Sequence, residues 1–119
     1  MKAIEAYQEN AVTTQTRGRL IVLLYDGAIK FLRQAVTELE ARRFAEKGQY
    51  IAKAQAIITE LNTCLDMEAG GEIARNLRNL YNFMNRHLNE ANLRRDAGKI
   101  REVIACMENL NEGWKSITS

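Results

Sequence analysis

Residues 20–32 read LIVLLYDGAIKFL, and ten of these thirteen residues are apolar. An α-helix turns by about 100° per residue, so this stretch begins one core-facing stripe that continues to Leu39. The members of the stripe are Ile21, Tyr25, Ala28, Leu32, Ala35 and Leu39. A second apolar side is left over, whereas the solvated side carries Asp26, Lys30, Arg33 and Thr37. The members of the second side are Leu20, Leu23, Leu24, Gly27 and Phe31. The stretch therefore predicts a helix with more apolar surface than one stripe.

Three later segments repeat the spacing of a helix with one buried stripe. The first helix is expected at about residues 18–42 with Thr16 as its N-cap, the second at about 46–67 and the third at about 72–96. Gly70-Gly71 is expected to end the second helix, and Ala97-Gly98 to reverse the chain before the fourth. The later stripes consist of Tyr50, Ile51, Ala54, Ile57, Ile58, Leu61 and Leu65; of Ile73, Leu77, Leu80, Tyr81, Met84, Leu88 and Ala91; and of Ile100, Val103, Ile104, Met107, Leu110, Trp114 and Ile117. Short turns between these segments predict an all-α fold, an antiparallel four-helix bundle.

The chain of 119 residues has the length of one domain and contains no proline. We expect a single domain over residues 1–119, with residues 1–16 as a mobile, partly helical arm. Ile4 and Tyr7 lie one helical turn apart in this arm. VTTQT at residues 12–16 is expected to be a flexible connector, because β-branched and small polar residues favour extended or capping conformations.

The net charge is only +2, which gives little reason to expect a nucleic-acid partner. The N-terminus lacks the continuous apolar core of a signal peptide, and no apolar run is long enough for membrane insertion. We therefore expect a cytosolic protein. Cys64 and Cys106 are far apart in the sequence, so free thiols are the simpler expectation and a single disulfide is the alternative.

Gly27 lies inside the predicted first helix, where glycine costs about 1 kcal/mol relative to alanine. A missing side chain lets another backbone come close, so something is expected to pack at this position. One interpretation is that other helices of the bundle cover the second apolar side. The other is that this side forms an apolar groove, covered by the arm through Ile4 and Tyr7 until a partner replaces it.

Catalytic chemistry is not expected, because the chain has one histidine, His87, and no phosphate loop or activated nucleophile motif. A packed or half-buried histidine is the default interpretation, and one histidine cannot supply a di-iron site. No metal or other cofactor is predicted. A histidine phosphotransfer domain acting through His87 is the alternative function. The arginines at 42–43 and 94–95 are interpreted as solvated helix ends, where cations complement the helix dipole.

Three motifs in order carry a family resemblance: LLYDGAIKFL at 23–32, KAQAIITEL at 53–61 and GGEIARNLRNLYNFM at 70–84. With YQENAVTT at 7–14 and Trp114 near the end, the chain resembles the flagellin-specific export chaperone family, FliS, over nearly its whole length.

The resemblance implies a helical bundle that is not an enzyme. Such a protein binds the disordered C-terminal segment of flagellin, prevents its premature polymerisation and delivers it to a flagellar export gate component. Partner helices lie in apolar grooves, and the arm occupies part of that surface when flagellin is absent. The site residues implied by the match are Tyr7, Leu24, Tyr25, Gly27 and Ile29. Helix geometry adds Leu20, Leu23 and Phe31 to the partner-binding site. A homodimer formed through the extra apolar side is a further alternative.

Overall fold

The computed structural model describes residues 14–118, which form four α-helices. The helices are α1 at Thr14–Glu40, α2 at Phe44–Thr63, α3 at Gly71–Arg94 and α4 at Ala97–Thr118. Both α1 and α3 pack against α2 and α4, so α1 and α3 lie on a diagonal. Short connections make consecutive helices antiparallel. The predicted all-α, antiparallel four-helix bundle is confirmed, while residues 1–13 of the predicted arm lie outside the described residues.

One apolar core runs along the bundle. The largest fully buried side chains are Tyr25, Leu32, Ile51, Ile58, Tyr81, Met84, Leu88, Ile100, Val103 and Met107. The predicted α1 stripe is buried from Tyr25 to Leu39, and Ile21 at its start is partly buried. Two predicted core positions are wrong, because Ile73 and Ile117 are each 72% exposed. Both lie in a terminal turn of their helix, beyond the side chains that cover the rest of the stripe.

The start of α1 differs from the prediction. The helix already includes Thr14, so Thr16 lies inside it and the predicted N-cap is wrong. Residues 14–16 therefore belong to α1 and not to a flexible connector. Threonine and glutamine lower helix stability by only a few tenths of a kcal/mol (about 0.7 at most), which is too little to stop a long helix.

The connection between α2 and α3 is longer than predicted. α2 ends at Thr63, and Asp66 Oδ1 then accepts hydrogen bonds from the backbone N–H groups of Glu68 and Ala69 at 3.1 and 2.9 Å. An aspartate side chain that binds its neighbouring backbone offers an alternative to the helix. Gly70-Gly71 therefore lies at the start of α3 instead of ending α2, with Gly70 as the N-cap. Gly71, the first residue of α3, has a positive φ of 53°.

Two arginines end α1 and α3. Arg42 and Arg95 have φ angles of 62° and 54°, the left-handed conformation usual for glycine after a helix. The backbone N–H of the next residue then donates a hydrogen bond to a carbonyl in the last turns of the helix. Arg43 N–H binds the Glu38 carbonyl at 2.8 Å, and Asp96 N–H binds the Ala91 carbonyl at 3.0 Å. The reversal after α3 thus lies at Arg95-Asp96, and the predicted reversal at Ala97-Gly98 is wrong because α4 already begins there.

The two ends of the bundle differ in chemistry. At one end, here called the apolar end, α1 begins and α4 ends, and Leu20, Leu23, Ile73 and Ile117 are exposed. At the opposite end, here called the arginine end, the turns after α1 and α3 carry the arginine pairs at 42–43 and 94–95. Within residues 14–118, no helix combines the length and apolarity that crossing a membrane requires.

Candidate protein-binding site

The predicted site residues do not form one surface. Leu20 and Leu23 are 57% and 64% exposed, whereas Tyr25 and Ile29 are buried in the bundle core. Leu24, Gly27 and Phe31 are partly buried, and Tyr7 lies outside the described residues. Only part of the predicted set can therefore touch a partner directly without rearrangement of the bundle.

An apolar cavity of about 320 Å³ opens at the apolar end, beside Leu20. Its lining consists of Arg17, Leu20, Ile21, Leu24, Leu61, Cys64, Leu65, Tyr81 and Trp114. All four helices or their ends contribute to it, although sequence periodicity assigned Leu61, Leu65, Tyr81 and Trp114 to the core stripe alone. The available signal was that Leu61 and Trp114 lie near the ends of α2 and α4 and that Leu65 lies just after α2, because helix ends are covered from fewer sides. Tyr81, in the middle of α3, carried no such signal. An exposed leucine beside an apolar cavity is suited to a partner's apolar side chain.

Aromatic residues form the inner wall of this cavity. The hydroxyl groups of Tyr25 and Tyr81 form a hydrogen bond of 2.6 Å across the bundle diagonal. Trp114 packs beside Tyr25 with a distance of 6.4 Å between ring centroids. Burial raises the pKa of both tyrosines, and the hydrogen bond that Tyr81 shares with Tyr25 raises the pKa of Tyr81 further. Tyr81 and Trp114 thus form the inner wall of the cavity, and Tyr25 supports them from the core.

Because the pKa values of Tyr25 and Tyr81 are raised, we expect the folded bundle to lose stability at alkaline pH. In the unfolded chain a tyrosine ionises near pH 10, whereas the raised pKa values keep Tyr25 and Tyr81 protonated in the folded bundle. The unfolded chain then binds fewer protons, so the free energy of unfolding falls above about pH 10, by up to about 1.4 kcal/mol per pH unit for each tyrosine. Urea unfolding across this range should show a shallower fall for Tyr81→Phe, and Leu88→Met, a similar-sized core change, should keep the wild-type slope. Equal slopes in all three proteins would contradict the assignment of this loss of stability to Tyr81.

The second apolar side of α1 is partly covered by α2. Ile57 Cδ1 lies 3.5 Å from the position that a Cβ at Gly27 would occupy. One turn further on, Phe31 stacks on Tyr50 at 6.2 Å, and Lys53 Nζ lies 5.5 Å from the Phe31 ring centroid. A methyl group at position 27 would thus be in ordinary contact with Ile57, whereas a larger side chain would have to displace it. Within residues 14–118, α2 covers this side of α1 near Gly27 and Phe31, and the side stays open at the beginning of α1.

Leu23 lies beside a different depression from Leu20. This shallow apolar depression of about 350 Å³ lies between α1 and α4 and is lined by Arg19, Val22, Leu23, Lys115 and Thr118. At its edge, a Cβ on Gly18 would lie 1.9 Å from Thr118 Cγ2, so the two helices are in close contact. The beginning of α1 is thus a ridge with an apolar depression on each side.

His87 is packed as the default interpretation predicts. Its Nε2 lies 3.0 Å from Glu102 Oε1, and its ring stacks on Phe83 with centroids 4.8 Å apart. Within residues 14–118, no three potential ligands among His, Cys, Asp and Glu come together as a metal site. Cys64 and Cys106 are free thiols. This packing does not favour phosphotransfer through His87.

A helical bundle with an apolar cavity at one end, beside the exposed Leu20, has the features of a protein-binding domain. The whole chain, residues 1–119, matches the family described as Flagellar protein FliS. It is 41% identical over 117 residues to the flagellar secretion chaperone FliS of Salmonella typhimurium, covering 92% of this chain and 82% of the relative. The flagellar secretion chaperone FliSB of Pseudomonas aeruginosa is 39% identical over 122 residues, covering 99% and 97% of the two chains. FliS of Bacillus subtilis is 36% identical over 110 residues, covering 92% and 81%.

These matches identify the class as a flagellar secretion chaperone. The chain belongs to the FliS family, and the resemblance carried by its three motifs is confirmed. Since the relatives are named as chaperones, the protein belongs to a family of binding proteins and not of enzymes.

Proposed function

We propose that this chain binds the disordered C-terminal segment of flagellin in the cytosol, prevents its premature polymerisation and assists its delivery to the flagellar type III secretion apparatus. The observation that carries the proposal is the apolar cavity beside Leu20, at the end of the bundle where four large apolar side chains are exposed. Membership of a family of flagellar secretion chaperones supports a flagellar export substrate as the partner.

The proposed binding mode is an amphipathic partner helix whose apolar face lies against the ridge at the beginning of α1. Leu20 and Leu24 would contact it on the cavity side, and Leu23 on the other side. Burying a leucine side chain contributes about 1.5–3 kcal/mol, and ordering a disordered partner offsets part of the sum. Tyr25 and Ile29 support this surface from inside the core, while Gly27 and Phe31 join it to α2. Tyr7 would belong to the arm that occupies the site before flagellin arrives.

Calorimetric titration with a flagellin C-terminal segment tests the function. We expect binding between nanomolar and micromolar, and we expect moderate salt to change the affinity little, because apolar contacts dominate. The control is the same segment with its apolar residues replaced by serine, which should bind much more weakly. Absence of binding by the unmodified segment would contradict the proposal, as would equal binding of both segments. Light scattering of the chain alone tests the alternative of a homodimer. Adding the export gate component to the complex tests delivery.

A further inference from the structure

We propose that the arginine end of the bundle is a second binding site, which takes a short acidic segment of another protein through the guanidinium groups of Arg42 and Arg95. Both groups lie over the ring of Phe44, the first residue of α2. The Cζ atoms of Arg42 and Arg95 are 5.7 and 3.7 Å from the ring centroid. The site is separate from the apolar cavity, because it lies at the opposite end of the four helices.

Arg42 and Arg95 have an unusual backbone conformation. Each occupies the left-handed position after a helix, where glycine avoids a steric cost that arginine bears. Complementing the helix dipole does not require a cation at this position, because Arg43 and Arg94 already place one at each helix end. The turns after α1 and α3 thus bring two strained arginines onto one aromatic ring.

The arginines at this end differ in whether a carboxylate balances their charge. Three neighbouring arginines have carboxylate partners at 2.5–2.6 Å, in the pairs Arg43–Glu38, Arg94–Glu90 and Arg101–Glu40. Within residues 14–118, no carboxylate lies within 4.0 Å of Arg42 or Arg95 as an ion pair, and both side chains are exposed. A cation–π contact does not require the N–H donors of a guanidinium, which suit a carboxylate in a bidentate pair. The guanidinium groups of Arg42 and Arg95 can therefore bind the carboxylates of a ligand, since no carboxylate in the described part of the chain pairs with them.

A buried lysine adds a third positive charge. Lys47, one turn into α2, is only 4% exposed, and its Nζ donates hydrogen bonds to the backbone carbonyl of Asn92 at 3.1 Å and to the Asn92 side chain. Burial lowers the pKa of Lys47, and the nearby charge of Arg95 lowers it further. Arg95 thus sits in a positive local potential, which an acidic ligand would relieve.

The mixture of charges at this end favours a short acidic peptide over a continuous polyanion. Glu38, Glu40 and Glu90 lie close to the paired arginines and would repel a long phosphate backbone or an anionic membrane. A net charge of +2 also provides little long-range attraction for either. A short segment needs only two or three carboxylates to engage Arg42 and Arg95, and it presents fewer negative charges to those glutamates than a continuous polyanion does.

Glycine substitution removes each cation while fitting its backbone conformation, so Arg42→Gly and Arg95→Gly should stay folded. The probe is a fluorescent decapeptide of alternating glutamate and glycine, titrated at low ionic strength and followed by anisotropy. We expect each variant to bind it at least about threefold more weakly, and the double variant more than about tenfold more weakly. The matched control, Arg43→Gln with Arg94→Gln, removes two carboxylate-paired arginines at the same end and should change affinity less than about twofold.

No peptide binding by the wild-type chain would overturn the proposal, as would equal losses in the glycine and glutamine double variants, which would indicate a diffuse charge effect. Tighter binding of oligouridylate or of phosphatidylserine vesicles than of the peptide would also overturn it. Thermal unfolding of each variant confirms that the bundle is intact. The inference does not rest on the proposed function, because the probe contains no flagellin sequence.

Discussion

Leu20→Glu is expected to weaken binding of the flagellin C-terminal segment by about 30-fold or more while the bundle stays folded. In the chain alone Leu20 is 57% exposed, so a glutamate there keeps its water. In the complex the carboxylate would be desolvated at the mouth of the apolar cavity, and the contact of the leucine would be lost. A loss of about 2 kcal/mol from one buried leucine already corresponds to about 30-fold in affinity. Calorimetric titration measures the affinity, and circular dichroism melting checks the fold.

Leu93→Glu is the matched control for this prediction. Leu93 is 81% exposed on the last turn of α3, near the arginine end, and the substitution adds the same charge. We expect its affinity for the flagellin segment to equal that of the wild-type chain. If Leu20→Glu bound as tightly as wild type, the site would lie elsewhere on the bundle. Equal losses in both variants would point to net charge and not to the cavity.

Gly27→Ala and Gly27→Leu are expected to change the free energy of unfolding in opposite directions. The alanine Cβ would lie 3.5 Å from Ile57 Cδ1, an ordinary contact, and should stabilise the helix by about 0.5–1 kcal/mol. The longer leucine side chain must displace Ile57 where α2 packs against α1, which should cost about 1–3 kcal/mol. Chemical denaturation of the two variants measures both effects.

Gly113 provides the control for the Gly27 pair. It lies inside α4, and no atom outside its own helix backbone and chain neighbours comes within 4 Å of a Cβ built there. Gly113→Leu should therefore be tolerated, since the side chain extends into open space. A Gly27→Leu variant with wild-type stability but weak flagellin binding would show that the second side of α1 faces the partner and not α2.

The periodicity of α1 predicted most of its packing correctly. Tyr25, Ala28, Leu32, Ala35 and Leu39 are all buried, as a stripe with helical spacing requires. The ends of the helices were predicted less well, because a terminal turn is decided by local side-chain hydrogen bonds such as those of Asp66 and by left-handed residues such as Arg42. These contacts leave no periodic signal.

Part of the candidate site could likewise be predicted from the sequence, and part could not. Leu20 and Leu23 were identified from the excess of apolar residues in one stretch, although the sequence left open whether that side is covered, and the family was identified from three motifs in order. The cavity beside them was not predicted, because its walls come from residues such as Leu61, Leu65 and Trp114, which are far apart in the chain. Only the packing of the helix ends places these side chains around one opening.

The sequence by itself therefore determined the helices, their shared core stripe and the membership of the FliS family, since each depends on residue types at fixed spacings along the chain. How the excess apolar surface of LIVLLYDGAIKFL is divided depends on contacts between helices that are distant in the sequence. Near Gly27, Ile57 of α2 packs against α1, and that part of the surface is covered. At Leu20 and Leu23 the neighbouring helices end, so no side chain within residues 14–118 buries these two leucines.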